Sequence, residues 1–275
     1  MKSNQIARTG LMAGLVLGLA STPLVAQRGG AFGPVDPRAE QRTYILEDTG
    51  EELPYGLFVS SKVTSDAPSP LIVALHGLGG SQDTFVRETY RAVELAEEGG
   101  YILVTPMGYN SAGWYGIPAD GGGRGGGRGE GAVTDPARVR ELSETDVMNV
   151  LGMIREEFNV DDNRIYLMGH SMGGAGALHL GVKHAPIWAA LAPIAPAAMS
   201  LDPNSLESIQ GMPVILVVGD EDNLVEGARR WAAKLDELGM THEYHELAGG
   251  DHMSVIADGM PDIFEFFANH SRASQ

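Results

Sequence analysis

Hydrophobic positions fall into short, dense apolar runs separated by longer stretches with helical spacing. "TYILEDTG" (43–50) and "LPYGLFVSS" (53–61) have strand character and a short turn between them. "PLIVALHG" (70–77), "YILVTPMG" (101–108) and "MPVILVVGDED" (212–222) carry unbroken apolar runs, the mark of strands covered on both faces. "RIYLMGHS" (164–171), "WAALAPIAPA" (188–197) and "HEYHELAG" (242–249) complete the predicted strands. Helical spacing predicts helices over 83–100, 137–158, 172–185, 225–239 and 260–270, the first ending on paired glycines. Strands alternating with helices over most of the chain predict a mostly parallel sheet with helices on both faces. Right-handed crossovers then gather the loops after each strand along one edge, where ligands bind.

One stretch has no period. Residues 108–135 contain "GYNSAGWYGIPAD" and then "GGGRGGGRGEG". A loop of this length after a strand lies at the ligand edge. Its composition predicts that 121–131 is a mobile flap, since it has almost no apolar area to bury. "GGGRGG" fits the spacing of a dinucleotide-binding turn, but it stands between no strand and helix and is set aside.

The N-terminus changes the domain picture. Lys2 and Arg8 precede ten apolar residues, Leu11 to Ala20, and a short polar segment. This is the layout of a secretory signal peptide, and the apolar part is well short of the roughly 20 residues that span a bilayer. The organisation expected is a signal peptide over 1–26, a flexible segment over 27–42, one catalytic domain over 43–270 and a tail over 271–275. A secreted or periplasmic protein without stable membrane insertion follows. The formal net charge of −17 over 275 residues repels nucleic acid and anionic surfaces, and removing the cationic leader makes it more negative. The absence of cysteine removes disulfides, thiolate metal sites and cysteine nucleophiles. His242 and His245, three apart on a predicted strand, face opposite sides and cannot share a metal. No metal and no cofactor are expected.

The candidate chemistry begins at Gly169-His170-Ser171-Met172-Gly173, a G-x-S-x-G between a predicted strand and helix. A sharp strand-to-helix turn strains the central residue and exposes its hydroxyl, and glycines two residues either side relieve the crowding. A serine nucleophile needs a base, and the base an orienting acid. Downstream of Ser171, "VVGDED" offers Asp222, with Asp220 as its rival, and "GGDHMSV" offers His252. Leu78, in "HGLGG", and Met172 are the expected backbone donors to an oxyanion. His76 braces that loop. His170 either lines the pocket or faces solvent, and Trp114 and Tyr115 either wall the pocket or anchor the long loop.

With these motifs together, the chain resembles the α/β-hydrolase superfamily of serine esterases from about residue 43 to 270. "LHGLGGSQDTF", "FNVDDNRIYLMGHSMGGAGAL" and "APIAPA" are similar to exported feruloyl esterases and polyhydroxybutyrate depolymerase-like enzymes. The resemblance implies an eight-stranded sheet and hydrolysis of a small-molecule or polysaccharide-linked carboxylic ester through an acyl-enzyme. It carries the nucleophile, acid and base to Ser171, Asp222 and His252, and the oxyanion loop to Leu78. It departs from cutinase-like polyester hydrolases, with Leu78 and Ala197 where those have aromatic residues. About 15 residues separate "APIAPA" from "MPVILVV", too few for a large cap domain. A serine peptidase on the same fold and a non-catalytic binding protein are the competing expectations; replacing Ser171 separates the second from an enzyme.

Overall fold

The computed structural model describes residues 33–118 and 131–272. The segment expected to be a signal peptide and nearly all of the Gly-Arg segment fall outside the described residues. Eight strands form one sheet: β1 (Glu40–Leu46), β2 (Glu51–Val59), β3 (Ser69–Leu75), β4 (Ile102–Pro106), β5 (Val160–His170), β6 (Ala190–Ile194), β7 (Val214–Gly219) and β8 (His242–Leu247). Their order is β1-β2-β4-β3-β5-β6-β7-β8. β1–β2 and β2–β4 pair antiparallel, and every later pairing is parallel. This is the α/β-hydrolase arrangement. The chain moves outward from β3 to β4 and then returns past β3 to β5, so the order reverses between β3 and β5. A crevice opens at the carboxyl ends of strands at such a reversal.

β3, β4, β6 and β7 are buried along their whole length, as their unbroken apolar runs require. Edge strand β8, HEYHEL, instead carries Glu243 and Glu246, charges that discourage pairing with another chain. Helices α1 (Ala92–Gly99), α2 (Pro136–Glu157), α3 (Met172–Lys183), α4 (Val225–Leu238), α5 (Ser254–Asp258) and α6 (Met260–Asn269) pack on the sheet. Asp135 opens α2 by accepting from Ala137 N–H, with Pro136 in the first turn. Between β6 and β7 the only helical element is a short 3-10 stretch, Pro203–Ile209, so no cap domain interrupts the sheet there.

Two expectations are corrected, and one helix is added. The helix expected over 83–100 is confined to Ala92–Gly99, preceded by an irregular turn and a 3-10 turn, Glu88–Tyr90. The backbone between is committed to tertiary partners: Gln82 O accepts from Thr105 Oγ1, Val86 O accepts from Asp36 N–H, and Arg87 bridges Val35. Arg91, at φ 59°, then separates the 3-10 turn from α1. The apolar residues Phe85 and Val86, which gave the helical spacing, are fully buried but not from a helix. The segment expected to be flexible over 27–42 is packed from residue 33 onward. Asp36 is buried and ion-paired to Arg38, Arg87 donates to Gly33 O, and β1 begins at Glu40. Helix α5 was unexpected; Asp251 opens it by accepting from Met253 and Ser254 N–H at 2.8 and 2.7 Å.

The first half of the long loop belongs to the core. Trp114–Gly116 form a 3-10 turn against α2 and α3. Tyr115 is fully buried, donates to His76 O at 3.0 Å, and lies where a methyl on Gly176 would meet its ring. The loop start is held by Asp146, a fully buried α2 carboxylate that accepts from Tyr44 Oη, Gly108 N–H and Tyr109 N–H at 2.7, 2.6 and 3.1 Å. Burial pushes the Asp146 pKa up, and these three donors act against that shift.

Candidate active site

Ser171 joins the end of β5 to the start of α3 at φ 56°, ψ −112°, a conformation that non-glycine residues rarely adopt. The surrounding bonds over-determine it. Ser171 N–H donates to Ile194 O at 2.9 Å, and Ser171 O accepts from Ala175 and Ala197 N–H at 3.0 and 2.9 Å. The flanking glycines face one another: a methyl on Gly169 would overlap the Gly173 carbonyl, and a methyl on Gly173 would overlap the Leu75 carbonyl. The motif is therefore a packing requirement between β3, β5 and α3. Gly173→Ala is expected to destabilise the protein by about 3 kcal/mol or more, because the obstacle is main chain and cannot rotate away. Urea unfolding of the purified variant measures it.

The loops after β5, β7 and β8 converge. Ser171 Oγ donates to His252 Nε2 at 3.0 Å, and His252 Nδ1–H donates to Asp222 Oδ2 at 2.7 Å. The proton positions follow from the network, since the carboxylate only accepts. Asp222 is buried, and its other oxygen accepts from Leu224 N–H at 2.9 Å. Asp220 points elsewhere, accepting from Gly249 N–H at 2.7 Å. It thereby ties the β7 loop to the glycine turn ahead of His252.

The loop after β3 faces Ser171. Gly79 N–H is taken by Ser111 O and Gly80 N–H by Gly77 O. Among the described residues nothing accepts from Leu78 N–H. Met172 N–H opens α3, where first-turn donors have no intrahelical acceptor. Leu78 lines the cleft with its side chain exposed. His76, at the base of this loop, is buried with its ring nitrogens 2.8 Å from Gly77 O and 2.7 Å from Met107 O. Burial pushes its pKa down, and the two carbonyls act the other way.

A cleft of about 260 Å³ covers Ser171 and His252. His170 lines it but is itself buried. Burial, then the neighbouring His252, push its pKa down to about 4. Trp114 is not among the lining residues; it lies buried beside the Arg140 guanidinium, with the cation 5.9 Å from the ring centre. Ser81, Thr84, Arg87 and Tyr90 also line the cleft, none of which sequence reasoning singled out. Assigning 83–100 to one helix hid them. Their signal was the polar spacing of Ser81, Thr84 and Arg87 directly after the glycine loop. Met253 completes the rim, half-exposed next to His252.

The chain matches the putative esterase family over residues 52–264, and belongs to that family. Feruloyl esterase B of Neurospora crassa is 29% identical over 133 residues, covering 42% of this chain and 40% of the relative. The putative esterase NocK of Nocardia uniformis subsp. tsuyamanensis is 26% identical over 158 residues, covering 56% of this chain and 40% of the relative. The match thus spans 40% of the length of each of these curated relatives. Among solved structures, a ferulic acid esterase of Anaeromyces mucronatus in complex with ferulic acid shares the fold, with a TM-score of 0.64 and 18% identity over 86% of this chain and 92% of that one. Among the described residues no helix is long and apolar enough to cross a membrane.

Proposed function

We propose that the protein is an exported serine carboxylic-ester hydrolase. The observation that carries this reading is the continuous chain of hydrogen bonds from Ser171 through His252 to buried Asp222, with Ser171 and His252 lining a cleft beside Leu78 and the start of α3. Ser171 Oγ attacks the ester carbonyl carbon while His252 Nε2 takes its proton. The carbonyl oxygen becomes an oxyanion held by Leu78 and Met172 N–H, aided by the positive end of α3. Collapse of this tetrahedral intermediate breaks the bond to the alcohol oxygen, which takes the proton from His252 and leaves. A water, deprotonated by His252, then attacks the acyl carbon and repeats the sequence, and Ser171 recovers its proton as the carboxylic acid departs. Asp222 accepts from Nδ1–H throughout, fixing the imidazole orientation and stabilising the imidazolium. His170 contributes to the cleft wall.

Export rests on the Lys2/Arg8 leader and its ten-residue apolar run. The hydroxycinnamoyl class is suggested by the named relatives, and the donor-bearing wall at Ser81, Thr84, Arg87 and Tyr90 suits an oxygen-rich substrate. Rates on acetyl, octanoyl and feruloyl esters, beside a matched anilide, test the reading. The expected result is turnover of esters with kcat/KM for feruloyl esters at least tenfold above octanoyl. Faster anilide than ester cleavage would instead assign a peptidase. No turnover of any member, together with failure of an organophosphonate to label Ser171, would leave a binding protein.

A further inference from the structure

His170 precedes the proposed nucleophile, yet its ring reaches across to the loop that carries the proposed base. His170 Nε2 lies 2.7 Å from the main-chain oxygen of His252, with the two rings 4.6 Å apart and tilted by 48°. His170 is 4% exposed. On its other side it packs on the loop after β3: a methyl on Gly77 would come within 3.1 Å of His170 Nδ1 and 3.3 Å of Ser171 Cβ. One side chain therefore touches the three segments that must keep register, namely the β3 loop, the Ser171 turn and the His252 loop.

We infer that His170 is a positioning residue: its Nε2–H holds the His252 carbonyl, and through that bond sets the backbone of the base so that the His252 ring spans Asp222 and Ser171. This rests on the Ser171–His252–Asp222 reading above. The tautomer follows from the partner. A carbonyl oxygen only accepts, so the bond needs a proton on Nε2. Burial keeps the ring neutral in the working pH range, so its single proton is committed there and Nδ1 is left bare against Gly77. Neutrality also matters electrostatically. A second imidazolium 4.6 Å from His252 would oppose the charge that the base acquires during the reaction. Asp222 secures the ring of His252 at Nδ1; His170 secures its main chain. His252 follows a glycine pair, Gly249 and Gly250, so a backbone tether has a purpose that the ring contact alone does not serve.

The test compares His170→Leu, similar in volume but without a donor, with His170→Gln, whose side-chain amide reaches a comparable distance with an N–H. Kinetics are measured on an acetyl ester. The proton NMR signal of the His252 ring, hydrogen-bonded to Asp222, is followed in the same samples. Misplacing a reacting group by about 1 Å costs on the order of 10²-fold in rate. His170→Leu is therefore expected to lower kcat about ten- to a hundredfold with KM changed less than about threefold, and to broaden or abolish the downfield His252 signal. His170→Gln is expected to stay within about fivefold of wild type and keep the signal. Unchanged kcat and signal in folded His170→Leu overturns the proposal, as does equal loss in both variants with the signal intact. If His170→Leu does not fold, His170→Ala takes its place with the same two outcomes. A wild-type protein that turns over no ester refutes the catalytic reading instead. The NMR comparison then still decides whether His170 holds the His252 loop.

Discussion

Ser171→Ala is expected to lower turnover of an activated ester by about 10⁴-fold or more while leaving the protein folded, the scale on which removal of one triad member acts. Only the hydroxyl is lost, and among the described residues its one side-chain hydrogen bond is to His252 Nε2. The φ 56° backbone is held by main-chain bonds to Ile194, Ala175 and Ala197, which alanine keeps. The melting temperature should therefore change little. Steady-state rates and a thermal melt on the same preparation check both halves. Near-normal rates from a folded variant would exclude acyl-enzyme chemistry at this residue.

The second large effect distinguishes two acids in one loop. Asp222→Asn is expected to reduce kcat by about 10⁴-fold, and Asp220→Asn by no more than about fivefold. The difference follows from what each oxygen accepts. Asp222 uses one oxygen for Leu224 N–H and the other for His252 Nδ1–H. An asparagine keeps its carbonyl toward Leu224 and turns its NH₂ toward His252. Nδ1 must then accept, which moves the ring proton to Nε2, where it faces Ser171 and blocks proton abstraction. Asp220 needs only one acceptor, for Gly249 N–H, and asparagine supplies it. Rates for the two variants measured side by side check the assignment; collapse in Asp220→Asn with normal Asp222→Asn would reverse it.

The elbow was the most legible part of the site. Its glycines, the preceding apolar run and the small residues of α3 are all local, and each has a local steric reason. The acid was narrowed to Asp222, with Asp220 in the same loop as its rival. Asp220 and Asp222 follow the same buried strand, and the turn at Gly219 to Asp222, closed by Asp222 N–H on Gly219 O, decides which one reaches His252. His170 was left open between the pocket wall and solvent, because its partner is a carbonyl 82 residues away. The cleft wall at Ser81, Thr84, Arg87 and Tyr90 was missed because periodicity records which residues are buried, not what buries them. Phe85 and Val86 satisfy a helical pattern while the adjacent backbone bonds to Asp36 and Thr105. Trp114 and Tyr115 were ambiguous for a related reason. An aromatic pair in a glycine-rich loop has the composition of a pocket wall, and only the packing of Tyr115 against His76 and Gly176 makes it a core anchor.

By itself the sequence determined the alternation of strands and helices and the Ser, acid, His order, because apolar period and steric tightness act between near neighbours. The tertiary structure decided the reversal between β3 and β5, which of Asp220 and Asp222 meets His252, the bond between His170 and the His252 carbonyl, and which residues line the cleft. Those depend on the register of segments far apart in the chain. A hydrogen bond of 2.7 Å tolerates little error in that register, whereas a hydrophobic pattern tolerates a great deal.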